Sequence, residues 1–199
     1  MHQDLLLSAA ILSGTTNIVG FVPYARDIFH HKTKPERAMW WIYTALFTLL
    51  YAAQASAGAH LLLIVSAVYI VTSATIALLS LRYGYGSFHR RDILSICVAI
   101  FGLVLWKITS NPLTAILIVI VIDFAGFWLT IVKTWQAPHS ETLVSWQLSL
   151  FSALFSIFSI GTRDFSLAAY PTYAVLADAL LVWVIIYRRT KVREDLIDF

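Results

Sequence analysis

Apolar residues run along this chain in seven stretches, about 5–27, 38–56, 59–81, 91–108, 112–133, 142–160 and 166–187, divided by short polar, charged or turn-forming segments. Most approach the ~20 residues that a helix needs to cross a hydrocarbon core roughly 30 Å thick. No charged residue falls between Asp4 and Arg26, and none in the 44 positions between Arg37 and Arg82. The second gap holds two spans joined by a tight turn at Ala57-Gly58-Ala59-His60. The pattern predicts an all-α membrane protein with seven transmembrane helices. The segment 91–108 is the shortest, with 14 uncharged residues between Asp92 and Lys107. It spans if Arg90, Arg91 and Lys107 snorkel outward.

Composition agrees: 59% of residues are hydrophobic, 13% are charged and the mean hydropathy is +0.77, which excludes an ordinary soluble domain. With seven spans, twelve Lys and Arg residues fall on one side of the membrane and only Lys107 and Arg163 on the other. The positive-inside rule then sets the N-terminus outside and the C-terminus in the cytoplasm. A pI near 9.1 does not imply a nucleic-acid partner, because the bases lie at membrane boundaries. The run Arg188-Arg189-Thr190-Lys191-Val192-Arg193 is expected to lie against anionic lipid. The single cysteine, Cys97, permits no internal disulfide and offers no thiolate set for zinc, so it is read as a small apolar residue. No metal-ligand spacing and no cofactor motif is present. Met1-His2-Gln3-Asp4 lacks a positive n-region, so the first stretch is expected to be a permanent span. The short loops suit a bacterial inner membrane.

The seven stretches read as three, one and three. Displacing the chain by 105 positions overlays Glu36 on Glu141, Trp41 on Trp146, Ser73 on Asp178 and Ile18 on Asp123, one residue from Asn17. An odd-numbered linker span makes the two triplets parallel, and such repeats bind solute at their interface near the bilayer midplane. The expected organisation is a first triple-helix bundle at 1–83, a linker helix at 84–110, a second bundle at 111–188 and a cytoplasmic tail at 189–199.

This layout resembles the SWEET sugar transporters and the wider PQ-loop family. Val22-Pro23-Tyr24-Ala25-Arg26-Asp27-Ile28, followed by Lys32-Thr33-Lys34-Pro35, is similar to the family's intrahelical proline and basic, hydroxyl-bearing loop, with Tyr24 in place of its glutamine. The second triplet departs further: Gly126-Phe127-Trp128-Leu129 has no proline. The resemblance implies transport, polar mid-span residues on the third and seventh helices that hold substrate, acids on the fifth that couple protons, and self-association.

Four polar residues interrupt the apolar stretches near their middles: Asn17, Ser73, Asp123 and Asp178. A bare carboxylate at that depth costs roughly 2.5–3.5 kcal/mol on insertion scales, so such groups mark internal pathways. Asp178 sits among small residues that leave room for a ligand, although bonding to a nearby Ser or Thr is the plainer reading. Asp123, set among bulky apolar residues, can change its charge with local water access, as a proton-coupled carrier requires, or can sit neutral in a structural role. Asn17 offers both donor and acceptor to a solute or to a neighbouring helix. Tyr69 and Tyr173 flank these groups and can close over a ligand. Pro23 removes a helical hydrogen bond and makes a hinge or a static bend. Trp41 and Trp146 begin their spans in corresponding places, at a pore mouth or in the aromatic belt. Trp128, one turn from Asp123, is the tryptophan expected to touch ligand.

The expected function is alternating-access transport of a small polar solute such as a sugar or amino acid, with proton coupling through Asp123 or Asp178. A vitamin or nucleoside facilitator of the same architecture is the alternative, followed by a membrane scaffold or receptor. A membrane-embedded enzyme ranks below these, because no nucleophile or metal set accompanies the acids. The partners implied are the solute and the bilayer.

Overall fold

The computed structural model describes residues 2–35, 37–84 and 111–197, with Val104 and Ile108 between them. Every regular element among the described residues is helical: α1 His2–Phe29, α2 Arg37–Ser56, α3 Leu61–Tyr83, α4 Pro112–Gln136, a 3-10 turn Pro138–Ser140, α5 Leu143–Phe158 and α6 Phe165–Ile197. The predicted segment 91–108 therefore lies, apart from Val104 and Ile108, outside the described residues, together with Cys97, Trp106, Lys107 and Glu36.

Local chemistry sets the ends. Gly58 adopts φ +79°, and the bonds Ala59 N–H to Gln54 O (2.9 Å) and Gly58 N–H to Ala55 O (3.1 Å) close α2 in a Schellman motif at the predicted turn. The Asn111 side chain accepts from Leu113 N–H at 2.9 Å, and Pro112 occupies the first turn of α4, where a missing N–H costs nothing. Asp164 accepts from Ser166 N–H at the start of α6. α6 runs to Ile197, so the predicted tail at 189–199 begins as a continuation of the helix.

Among the described residues, four helices are long and apolar enough to cross a membrane: α1 over Gln3–Phe29, α3, α4, and α6 over Phe165–Val192. α5 has 16 residues, a rise of about 24 Å against a core of roughly 30 Å. α2 has 20 residues but carries Thr44, Thr48, Gln54 and Ser56 among its apolar ones.

The helices pack chiefly in a ring, α1–α3–α2–α4–α6–α5 and back to α1. Specific contacts give their directions. α1 and α3 run parallel, with Asn17 against Thr72 and Phe29 against Tyr83. α4 and α6 likewise run parallel, with Asp123 facing Tyr173 and Trp135 facing Tyr187. α1 meets α5 antiparallel through Ser13–Ser152, Gly20–Leu148 and Asp27–Thr142. α2 meets α4 antiparallel through Tyr43–Gly126 and Met39–Thr130. The main apolar core lies on this α2–α4 seam, where Leu46, Leu49, Leu50 and Ala53 pack on Ala115, Ile116, Val119 and Ile122.

One consequence is that Arg26, Lys32, Lys34, Arg37, Arg82, Lys133, Arg188 and Arg189 gather at one face, where α1, α3, α4 and α6 end, while Arg163 lies at the other. Several of these cations are used by the protein itself. Arg37 donates to Ser80 O and Leu81 O at the end of α3. Arg188 donates to Trp135 O, and Arg189 to Pro138 O and Glu141 O. The expected lipid anchor therefore also clamps the chain between α4 and α5.

Candidate functional site

Each helix turns one stripe inward, at the three- and four-residue spacing that keeps side chains on one face. Asn17, Gly20, Phe21 and Tyr24 come from α1, Trp40, Tyr43 and Phe47 from α2, and Tyr69, Thr72, Ser73 and Ile76 from α3. Asp123 and Phe127 come from α4, Ser145, Trp146 and Ser149 from α5, and Tyr170, Ala174, Ala177 and Asp178 from α6. These stripes enclose a cavity of about 130 Å³ inside the ring.

Asp123 and Asp178 are both buried. Asp178 accepts from Ser149 Oγ at 2.7 Å. The Tyr173 hydroxyl faces Asp123. Neither carboxyl has a Lys, Arg or His partner among the described residues. Other polar groups in the wall are spent locally: Ser73 donates to Ile70 O, and Thr72 donates to Asn17 Oδ1 and Val68 O. The Ser145 hydroxyl and the Trp40 indole N–H are buried without a hydrogen-bond partner, and the Trp40 ring lies 5.3 Å from the Tyr24 ring. Unmet polar groups at a cavity wall ask for water or ligand.

Two layers bound this space along the ring axis. Toward the start of α1, Ser13 Oγ donates to Ser152 O (2.7 Å) and Ser152 Oγ to Ser13 O (2.8 Å), with the Tyr69 hydroxyl 3.0 Å from Ser152 Oγ. Toward the basic face, Trp146 Nε1 donates to Glu141 Oε2 at 3.0 Å, while Glu141 Oε1 pairs with Lys133 Nζ at 2.6 Å. Thr142 Oγ1 donates to Asp27 Oδ2 beside Thr33.

The predicted residues Asn17, Tyr69, Ser73, Asp123, Trp146 and Asp178 thus meet in one cavity. Tyr173 stands behind the wall with its hydroxyl toward Asp123. Pro23 is half-buried within an unbroken α1 and is outside the lining. Trp128 is 53% exposed on the outer surface, because five residues of helix turn it about 140° from Asp123. Trp41 also faces outward, and its neighbour Trp40 lines the cavity. Most of the aromatic lining escaped the sequence reading. Its signal was present in the spacing of Trp40, Tyr43 and Phe47, but strongly apolar helices mask such stripes. Pro171, buried within α6 beside Tyr170, was also passed over.

A second displacement relates α1 to α4. On α1 and α4 the displacement is 106, which overlays Asn17-Ile18-Val19-Gly20-Phe21 on Asp123-Phe124-Ala125-Gly126-Phe127. Gly20 faces Leu148 on α5, and Gly126 faces Tyr43 on α2. Tyr43 and Leu148 are themselves related by 105 positions, although only the Gly20 contact is close.

Among the described residues no group of three or more His, Cys, Asp or Glu side chains is arranged to hold a metal ion. No protein-family model, curated protein or solved structure matches the chain.

Proposed function

We propose that this chain is a seven-helix membrane transporter of the SWEET/PQ-loop type, moving a small polar solute by alternating access with proton coupling through Asp123 or Asp178. Residues 1–83 and 111–188 form two triple-helix bundles, and 84–110 supplies a linker span. The observation that carries this reading is a cavity inside the helix ring holding two buried carboxyls that have no cationic partner among the described residues. Packing alone rarely repays two such groups. The ring's near-twofold arrangement favours two bundles that can rock against each other. Tyr83 and Pro112 lie at opposite faces, which favours a crossing connection between them. The basic face is the cytoplasmic one, leaving the N-terminus outside. The membrane is a bacterial inner membrane.

In this mechanism the Ser13–Ser152–Tyr69 layer is the outer barrier and the Trp146–Glu141–Lys133 layer the inner one. Solute enters when one layer parts and leaves when the other does. The first test is thermal stabilisation of purified protein by sugars, amino acids, vitamins and nucleosides at about pH 5.5 and about pH 7.5, since a ligand stabilises the state it binds. Any stabilising solute is then followed into proteoliposomes. Uptake driven by a pH gradient and lost in Asp178→Asn is expected. Neither stabilisation nor uptake across these classes would overturn the transport reading in favour of a scaffold.

A further inference from the structure

We infer that the solute is a small organic cation, held with its positive charge between the Asp123 and Asp178 carboxyls and its apolar body against the aromatic wall. This deepens, and rests on, the transport reading above.

Nine of the cavity's twenty lining residues are aromatic, against 14% aromatic content in the whole chain. The two acids face the same space, and among the described residues no Lys, Arg or His lines it. Trp40, Tyr43 and Phe47 form a continuous run of rings across α2, with centroids 5.7 Å apart at each step, and Tyr69 continues it at 5.2 Å from Phe47. Tyr24 extends the run at the other end, 5.3 Å from Trp40. Ring faces carry negative quadrupole potential and attract a cation within about 6 Å, most strongly where water is excluded. Carboxylates and ring faces thus converge on one sign of charge.

The same inventory argues against other classes. An anion would meet two carboxyls and no cation. The aliphatic hydroxyls of Thr72, Ser73 and Ser149 already donate within the protein, which removes three donors that a polyol would use. Ser145 Oγ and Trp40 Nε1 are buried in the wall without a hydrogen-bond partner. Ser149 is poised to keep Asp178 oriented whether or not the ion is present.

Matched probes test the charge directly. Binding of choline is compared with that of its carbon isostere 3,3-dimethylbutan-1-ol, and binding of N-methylpyridinium with that of toluene. Thermal stabilisation and quenching of tryptophan fluorescence, to which Trp40 and Trp146 contribute from the wall, report binding in the same wild-type preparation. At least one cation is expected to bind about tenfold or more tightly than its neutral partner. In Asp123→Asn and Asp178→Asn, each checked for unchanged elution and helicity, that preference is expected to fall toward parity. Parity within both pairs in the wild-type protein overturns the inference, as does stabilisation by glucose with no cation bound. The two readings fail separately. A cation bound tightly yet not carried into proteoliposomes removes transport and leaves the cation site. Glucose accumulated without cation binding leaves transport and removes the cation. If nothing is bound and nothing moved, both are lost.

Discussion

Replacing Gly20 by alanine puts the close approach of α1 and α5 to a stringent test. A Cβ at Gly20 would lie 2.9 Å from Leu148 Cβ and 3.3 Å from Ser145 O. Carbon atoms prefer separations of about 3.5–4.0 Å, so α1 and α5 must part by roughly 0.6 Å or more. Neither obstructing atom is the far end of a flexible chain, so local relaxation cannot absorb the clash. Overpacking of this kind costs about 1–3 kcal/mol. At roughly 2–4 °C per kcal/mol for a chain of this size, the apparent Tm should drop by about 2–12 °C. The symmetric substitution Gly126→Ala is the control. Its nearest neighbour is Tyr43 Cε1 at 4.0 Å, and removing a mid-helix glycine is worth up to about 1 kcal/mol. Thermal unfolding followed by size-exclusion in detergent should therefore show Gly20→Ala destabilised and Gly126→Ala unchanged or slightly improved. Equal losses for the two variants, or none at Gly20, would refute the packing argument.

The other predictions concern the layers and the wall. Glu141→Gln and Lys133→Met should each lower stability, with a coupling in the double-mutant cycle of about 1 kcal/mol. This is discounted from the ~3–5 kcal/mol of a fully buried pair because the Lys133 side chain is 36% exposed. Ser152→Ala removes the hydroxyl that meets the Tyr69 hydroxyl and the Ser13 carbonyl and should cost about 1–3 kcal/mol in thermal unfolding, more than Ser8→Ala, whose hydroxyl is exposed. Asp123→Asn should abolish any dependence of uptake on the pH gradient while leaving counterflow of solute measurable. Retained dependence would assign coupling elsewhere. Trp128→Leu should leave ligand affinity unchanged, because that ring packs on Phe124 outside the cavity.

Run length, charge placement and turn chemistry were legible before any tertiary contact was known. They are local properties: an apolar run either reaches helix-spanning length or falls short, and Gly58 needs only its own φ to end α2. The positions of Asn17, Ser73, Asp123 and Asp178 within their runs were equally plain, and so was their common depth. What lay beyond the sequence was the direction in which each helix faces. A helix between lipid and protein is apolar all round, so amphipathicity does not distinguish Phe127 in the cavity wall from Trp128 outside it, or Trp40 from Trp41. Packing decides that angle, through small residues such as Gly20 that let one helix approach another. Tertiary structure alone also brought Lys133, Glu141 and Arg189 together across three segments and drew one stripe from each of six helices around a single space. That closure depends on contacts summed around the whole ring, which no stretch of sequence carries by itself.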